Sequence, residues 1–529
     1  MRGYRIGIAA LACATSACVM AGSAQAQSQT PQRGGTAIFS MITDPLGFNP
    51  ATQSNQPDQQ VGCILYQGLV QFDHDYKLGP LLAKSWTISP DGKTYTFELN
   101  KVNWHDGKPL TSEDVKFSLL EVSSKFHVVF RRAGDAIDTI ETPAPDKVVI
   151  KLKNSFGPFM ISMGCLQGGA ITPAHIFRGT DVKTNPATTS APVGTGAFKL
   201  SEYKRGDYIK MVRNPDYFEA GKPYLDAVIG KIIGQAAART AALKAGEVDM
   251  VRNIPTNDKE QIQANPNLKF ELDDTSANSQ MVVFNTRRKP FDNKKVRQAL
   301  YMAIDRDYIF KNAFFNIGEI GTQPFNTYIG WSTNPEIDYR RMYPFDIAKA
   351  NAMLDEAGVK RGPDGKRFKV AILPIMDYPE HEQAALAIKS TWGQLGIDVS
   401  VEGLETATHI KRVFLDGDFD VALEVFNAYS DPALGVVRVW STASIDKPFG
   451  NASGYSNPLV DDLFAKGEAA TAYEDRVKFY RQAAAIVAED LPNGQLRQYR
   501  TPDGANKKLR DLWNFSESLG NWERAWLEK

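Results

Sequence analysis

Six histidines, His74, His105, His127, His175, His381 and His409, are the side chains of this sequence best suited to metal or acid–base chemistry. None is paired with another at ligand spacing. His105, in His105-Asp106-Gly107, is expected to order that turn. His381 and His409 fall on helical stretches that read as surface. No metal site built from protein ligands alone is expected. Ser201-Glu202-Tyr203-Lys204 matches the S-x-x-K of penicillin-binding enzymes, but Ser-Asp-Asn and Lys-Thr-Gly are missing and the run reads as a strand. Gly194-Thr195-Gly196 lacks the third glycine of a dinucleotide loop and a helix after it, so it reads as a turn. There is no G-x-x-x-x-G-K-[ST], H-E-x-x-H, C-x-x-C or G-x-S-x-G. The residue types present suit holding a molecule better than breaking one.

The elements that must position such a site are legible. Thr36 to Ile42 reads as a strand leading into Thr43-Asp44-Pro45-Leu46-Gly47-Phe48-Asn49-Pro50, a loop of turn formers ending in an aromatic and an amide. Val61 to Val70 reads as a helix. Thr94 to Leu99 alternates, putting Tyr95, Phe97 and Leu99 on one face, and Asp91-Gly92 before it signals a hairpin with 85–89. Thr111 with Asp114 makes a capping box for a helix running through Phe117 and Leu120. Ile347, Ala350, Leu354 and Ala357 keep helical spacing up to Gly358. Phe368 to Leu373 is a strand, Glu380 to Leu395 a helix, Ile397 to Val401 a strand, Thr408 to Leu415 a helix, and Phe419 to Val425 a strand. That β-α-β-α-β order predicts parallel strands with right-handed crossovers. Such sheets bind ligands beyond the C-terminal ends of their strands, so the loop from Phe426 to Pro432 is a site candidate. Pro-Asp-Gly at 90, 363 and 502 reads as turn chemistry.

At 529 residues the chain has room for about three to four domains of ordinary size. Lys+Arg and Asp+Glu are 61 each, a balance that argues against bulk nucleic-acid binding. Arg2 and Arg5, an uncharged run from Ile6 to Ala21 and Ala24-Gln25-Ala26 make an export signal cut after Ala26. A membrane anchor is the alternative, but the run is short and broken by Gly7, Thr15 and Ser16. A lipidated start at Cys13 or Cys18 lacks the Leu such sites favour. No later stretch is apolar enough to span a membrane, so the mature protein is expected to be soluble. It retains Cys63 and Cys165. In an oxidising compartment these could pair; a buried thiol in the apolar run around Cys63 is the alternative.

Several motifs, in order, carry a resemblance. They are Pro80-Leu81-Leu82-Ala83-Lys84-Ser85-Trp86, Asp91-Gly92-Lys93-Thr94-Tyr95-Thr96-Phe97, His105-Asp106-Gly107-Lys108-Pro109, Gly194-Thr195-Gly196-Ala197-Phe198, Arg213-Asn214-Pro215-Asp216-Tyr217-Phe218 and Val296-Arg297-Gln298-Ala299-Leu300. Over roughly 36–500 the sequence resembles the extracytoplasmic solute-binding proteins of family 5, the peptide- and nickel-type receptors of ABC importers. The resemblance implies an α/β, two-lobe periplasmic-binding-protein fold of type II, the large variant with an extra subdomain in lobe one. Lobe one is 36–280 plus 498–529, with the subdomain at about 70–190; lobe two is 285–495. It implies a monomeric periplasmic receptor, not an enzyme, that takes a peptide or peptide-like solute and passes it to a permease with its ATPase. It needs no cofactor and does not bind nucleic acid. An exported hydrolase on the same fold and a chaperone-like or adhesive envelope protein are the alternatives of other classes.

Peptide-binding relatives hold the α-ammonium with an Asp four residues before an Asp/Glu-Pro; counting back from Pro432, Ala428 stands there. Some relatives place an Arg for the carboxylate just after a strand end that here reads Leu373-Pro374-Ile375-Met376-Asp377. Both ionic anchors are absent, and burying an unpaired ammonium is costly. Glu424 or Asp431 would have to take over, or the solute is a modified peptide, an opine, an oligosaccharide or a metal chelate gripped through its organic shell. The candidate ligand contacts are Phe48, Asn49, Asn278, Phe426, Asn427, Tyr429, Asp431, Arg438 and Trp440. Phe426 and Trp440 also suit a core, Arg438 a surface cation, and Asp431 a turn cap.

Overall fold

The alternation between 368 and 427 folds as parallel strands, because each apolar strand is followed by an amphipathic helix long enough to return the chain. The structure, a computed structural model, describes residues 30–72, 77–376, 378–429, 431–512 and 522–529. The export segment with Cys13 and Cys18, and His74, Asp377 and Ser430, lie outside the described residues.

One ten-stranded sheet runs through the molecule. In chain order its strands are β1 (Thr36–Met41), β2 (Phe198–Lys204), β3 (Tyr208–Arg213), β4 (Ala227–Ile232), β5 (Met250–Val251), β6 (Leu268–Phe284), β7 (Phe368–Leu373), β8 (Ile397–Val401), β9 (Val421–Asn427) and β10 (Asn493–Asn506). Their order in space is β8-β7-β9-β6-β10-β5-β1-β4-β3-β2. β7 is parallel to both β8 and β9. The long strands β6 and β10 are antiparallel and pair from Leu268↔Asn506 to Val283↔Asn493. Their register shifts by one residue between Gln280↔Arg497 and Met281↔Gln495 and slips further between Asp273↔Thr501 and Asn278↔Tyr499. This slip lies between two hydrophobic cores. One is built from residues between Ala277 and Leu496, including Phe284, Trp392, Leu423 and Val487. The other is built from Ala37 to Met250 and Ala505 to Ala525, including Phe39, Phe198 and Trp522.

A third core belongs to a four-stranded antiparallel sheet, in the order Ala83–Ile88, Thr94–Leu99, Lys147–Leu152, Ile137–Ala144. Tyr95, Phe97 and Leu99 bury one face of it, as their alternation requires. The Asp91-Gly92 turn closes the hairpin: Lys93 N–H donates to Asp91 Oδ1 at 3.0 Å and Gly92 has φ +66°. The capping box at Thr111 forms, with Thr111 N–H donating to Asp114 at 2.8 Å. This subdomain enters and leaves at one place. Leu69 N–H donates to Met163 O at 3.0 Å, and Ile171 N–H to Gln67 O at 2.9 Å. Cys63 and Cys165 are disulfide-bonded beside that junction, closing 102 residues of sequence.

Two expectations need correction. The helix read over Val61–Val70 is Gln56–Leu65, and Val70–Phe72 is a strand. The Asn55 side chain accepts from Asp58 N–H and Pro57 sits in the first turn, which moves the start forward. The chain must end the helix before Gly68, where a Cβ would lie 2.4 Å from Met163 O. Pro502-Asp503-Gly504 is no turn but the interior of β10, with Asp503 fully buried. The carbonyl of Pro502 accepts from Ile254 N–H at 2.8 Å, so the acceptor of this donorless residue is satisfied there. The remaining strands and helices of the 340–427 region fall within a few residues of the reading, and Gly358 has the left-handed φ of +82°.

Candidate functional site

The strand order β8-β7-β9 sends the crossovers out of β7 and β8 in opposite directions. The C-terminal ends of β7 and β9 therefore flank the switch point of the sheet, the place where α/β sheets take ligands in a crevice. β7 ends in the uncapped helix Pro379–Gln394. β9 ends at Asn427, opposite Asn278 of β6.

Five of the nine candidates gather on this edge. Asn427 Nδ2 donates to Asn278 Oδ1 at 3.3 Å, and Asn278 Nδ2 donates to Thr501 Oγ1 at 3.3 Å. Asn427 Oδ1 accepts from Tyr429 N–H at 2.7 Å, and Tyr429 holds a left-handed φ of +48°, strain that marks an over-determined loop. The Arg438 guanidinium stands 5.9 Å from the Phe426 ring centre and 5.6 Å from that of Tyr429. It donates to Gly435 O at 3.0 Å, Phe449 O at 2.8 Å and Asn427 O at 3.2 Å. Arg438 is thus neither free nor a surface cation: it ties the loop that carries Asn427 and Tyr429. Phe426 is buried, edge-on to Phe414 at 6.2 Å.

The other four are placed differently. Asp431 is buried; Oδ1 caps the helix Pro432–Gly435 through Ala433 N–H at 2.9 Å and accepts from Arg476 at 2.8 Å. Trp440 lies in the core, stacked on Phe325 at 5.7 Å. Phe48 is fully buried with its edge toward Tyr203 at 5.3 Å. Asn49 is fully buried and folds its own turn by accepting from Ala51 N–H at 3.0 Å.

Sequence reasoning missed a buried polar cluster beside the crevice. Arg497 of β10 is held between the rings of Phe314 at 4.3 Å and Tyr499 at 4.0 Å. It donates to Gln280 Oε1 at 2.9 Å and Glu380 at 3.1 Å. His381 is fully buried, stacks on Tyr378 at 5.0 Å and has no partner on either ring nitrogen. Burial, then the charge of Arg497, pushes its pKa down to about 3. His409 pairs with Glu424 at 2.5 Å, both nearly inaccessible, and burial raises the Glu424 carboxyl. The surface reading of His381 and His409 is therefore wrong: each falls on a face turned to the sheet. The available signal was in the strand. Gln495, Arg497 and Tyr499 alternate in a run that must cross the molecule, so buried polar partners had to exist.

Ala428 is buried, and its N–H donates to Ala277 O at 2.7 Å. The two carboxylates that could replace an Asp there are taken, Glu424 by His409 and Asp431 by Arg476. His105 bridges to the Gly194–Gly196 turn, accepting from Gly194 N–H at 3.2 Å and contacting Gly196 O at 3.0 Å. Among the described residues, no group of three or more His, Cys, Asp or Glu could hold a metal ion, and no helix is long and apolar enough to cross a membrane.

The family profile of bacterial extracellular solute-binding proteins, family 5, matches residues 77–447. The chain belongs to that family, and its fold is that of the type II periplasmic binding proteins. It is 28% identical over 528 residues to the oligopeptide-binding protein AppA of Bacillus subtilis, covering 96% of this chain and 94% of that one. It is 29% identical over 510 residues to the heme-binding protein A of Haemophilus influenzae, covering 91% and 90%. The periplasmic binding protein DppA of Helicobacter pylori, solved with the peptide STSA, superposes with a TM-score of 0.78 at 26% identity, covering 94% of this chain and 99% of that one.

Proposed function

We propose that this protein is the receptor of an ABC importer. It captures a peptide-like solute lacking a free α-ammonium between two lobes, and delivers it unaltered to a permease and its ATPase. Lobe one is 36–280 with 498–529, lobe two is 285–495, and the subdomain spans about 70–190. The register shifts of β6 against β10, between Asp273 and Met281, are the hinge on which they move, since a ladder bends where its register is broken. The protein is exported by its N-terminal segment, cut after Ala26, and works as a periplasmic monomer. It does no chemistry on its guest; an exported hydrolase would need a nucleophile with a base, and the crevice edge offers amides, rings and an arginine committed to carbonyls.

The observation that carries the reading is Ala428, with Glu424 and Asp431 already paired. A peptide ammonium brought here would be desolvated with no carboxylate to meet it, at a cost of several kcal/mol. The same observation favours a second reading, a non-peptide solute such as an opine, oligosaccharide or metal chelate. The test is calorimetric titration of the mature protein with tetra-alanine and N-acetyl-tetra-alanine, beside members of the non-peptide classes. The acetylated peptide is expected to bind at least as tightly as the free one, and Ala428→Asp to reverse the order. A tenfold preference of the wild type for the free amine would overturn the reading. Recovery of intact ligand by mass spectrometry separates the receptor from the hydrolase. At 100 times Kd a true ligand adds about 2.7 kcal/mol of stability, visible as a raised melting temperature.

A further inference from the structure

The hairpin subdomain and lobe two are far apart in sequence, yet polar bonds join them at three points. Arg132, in the helix Arg131–Ala136 of the subdomain, donates to Ala433 O at 2.8 Å and forms an ion pair with Glu468 at 2.6 Å. Gly157 N–H donates to Glu468 O at 2.8 Å, and the Ser155 hydroxyl donates to Ala469 O. The approach is close at Gly157, where a Cβ would lie 2.7 Å from Arg476 Nε and the side chain would have to give way. Leu434 completes the hydrophobic core of the subdomain, and Tyr429 packs against it.

These contacts meet the loop that carries Asn427 and Tyr429. Asp431 caps the short helix Pro432–Gly435, whose Leu434 plugs the subdomain and whose Ala433 carbonyl takes Arg132. Arg476 binds Asp431 at 2.8 Å from below and donates to Gly467 O at 3.0 Å, next to Glu468. Its guanidinium lies 5.0 Å from the Trp331 ring centre and 5.6 Å from that of Tyr480, so it has no freedom to swing away. A continuous chain of contacts thus runs from the crevice loop through Asp431, Arg476 and Glu468 to Arg132.

We infer that Arg132 and Glu468 are a latch between the subdomain and lobe two, and that Arg476 is the positioning residue joining it to the crevice loop. Only contacts that exist in the shut state can favour that state. The Arg132 bonds and the Gly157 bond qualify, because every one of them crosses between the two bodies. The latch touches no solute. It sets how long the clamp stays shut, whatever it holds. This inference rests on the two-lobe capture reading, but it can be tested without a ligand.

The readout is hydrogen exchange at the Gly157 amide in the ligand-free full-length mature protein, followed by mass spectrometry on fragments that isolate 155–157. Arg132→Ala and Glu468→Ala are each expected to speed this exchange three- to tenfold, in keeping with the loss of charge-assisted bonds at a partly exposed site. The amides of Ala422 and Leu423, inside lobe two, keep their rates. The swap of Arg132→Glu with Glu468→Arg recovers slower exchange than either single variant. Unchanged exchange at Gly157 in both single variants overturns the latch, as does a swap no slower than the singles. If the latch results hold while no solute of any class binds, capture fails and the latch stands.

Discussion

Replacing Cys63 and Cys165 by alanine lowers the free energy of unfolding of the unit they staple by about 4–5 kcal/mol, the chain-entropy value for a loop near 100 residues. The bridge closes 102 residues, and that loop contains the whole four-stranded sheet of the subdomain. Without the bridge, the subdomain keeps the Leu69–Met163 and Ile171–Gln67 backbone bonds, the His105 bonds to the Gly194–Gly196 turn and the packing around Gly68, none of them covalent. Both cysteines are buried, so their removal also costs contacts. Thermal melts with and without reductant check this. The wild type is expected to lose roughly 5–10 °C on reduction, while the double variant melts at the reduced value in either buffer. Equal melting of oxidised and reduced wild type would count against it.

The buried histidines are expected to make a pH-dependent contribution of similar size. Burial pushes the pKa of His105 and His127 down to about 4, and that of His381 to about 3. Each of these imidazoles takes up a proton near pH 6.5 when unfolded but refuses it when folded. The stability they contribute is full above about pH 6.5 and is lost as pH falls toward their folded values, at about 1.4 kcal/mol per pH unit each. Three together give about 4 kcal/mol per unit near pH 5. Asp58 works in the other direction. Burial raises its pKa to about 6, so its contribution is full below the model-peptide value of 3.8 and is lost as pH rises through about 6. It offsets about one histidine, and the carboxyls of Asp249, Glu424, Glu468 and Glu523, also raised by burial, act in the same direction as Asp58. His381→Phe isolates one member of the set. Its ring nitrogens have no partners to lose, and a phenyl ring still stacks on Tyr378. Urea unfolding at pH 7, 6 and 5 is expected to show a variant no less stable at pH 7 and a dependence shallower by about 1.4 kcal/mol per unit. An unaltered slope would show that His381 is not the neutral buried group.

What the sequence disclosed about the fold was whatever depends on local periodicity. The parallel run 368–427, the Asp91-Gly92 hairpin and the Thr111 capping box are each fixed by residues within a few positions of one another. Pro502-Asp503-Gly504 misled because a long-range demand, a strand that must cross the molecule, outweighs local turn chemistry. The site was half legible. The rule for parallel strands led to the loop after β9, where Asn427 and Tyr429 line the edge. It could not say that Arg438 would be consumed by three carbonyls, or that Trp440 would stack on Phe325, because those facts depend on partners 11 and more than 100 residues away. His381 and His409 were misjudged for the same reason: an isolated imidazole on a helix carries no mark of which face meets the sheet.

Gln67 and Ile171 share a backbone bond, so the subdomain leaves the main body and returns to it at a single seam. A segment with adjoining ends is a removable cassette: cutting it out leaves a gap that a few residues can span, and the threading of everything else is undisturbed. Exchange of this cassette between relatives would therefore redesign one wall of the molecule, including whatever Leu434 plugs into, without disturbing the strands on which the rest of the architecture turns.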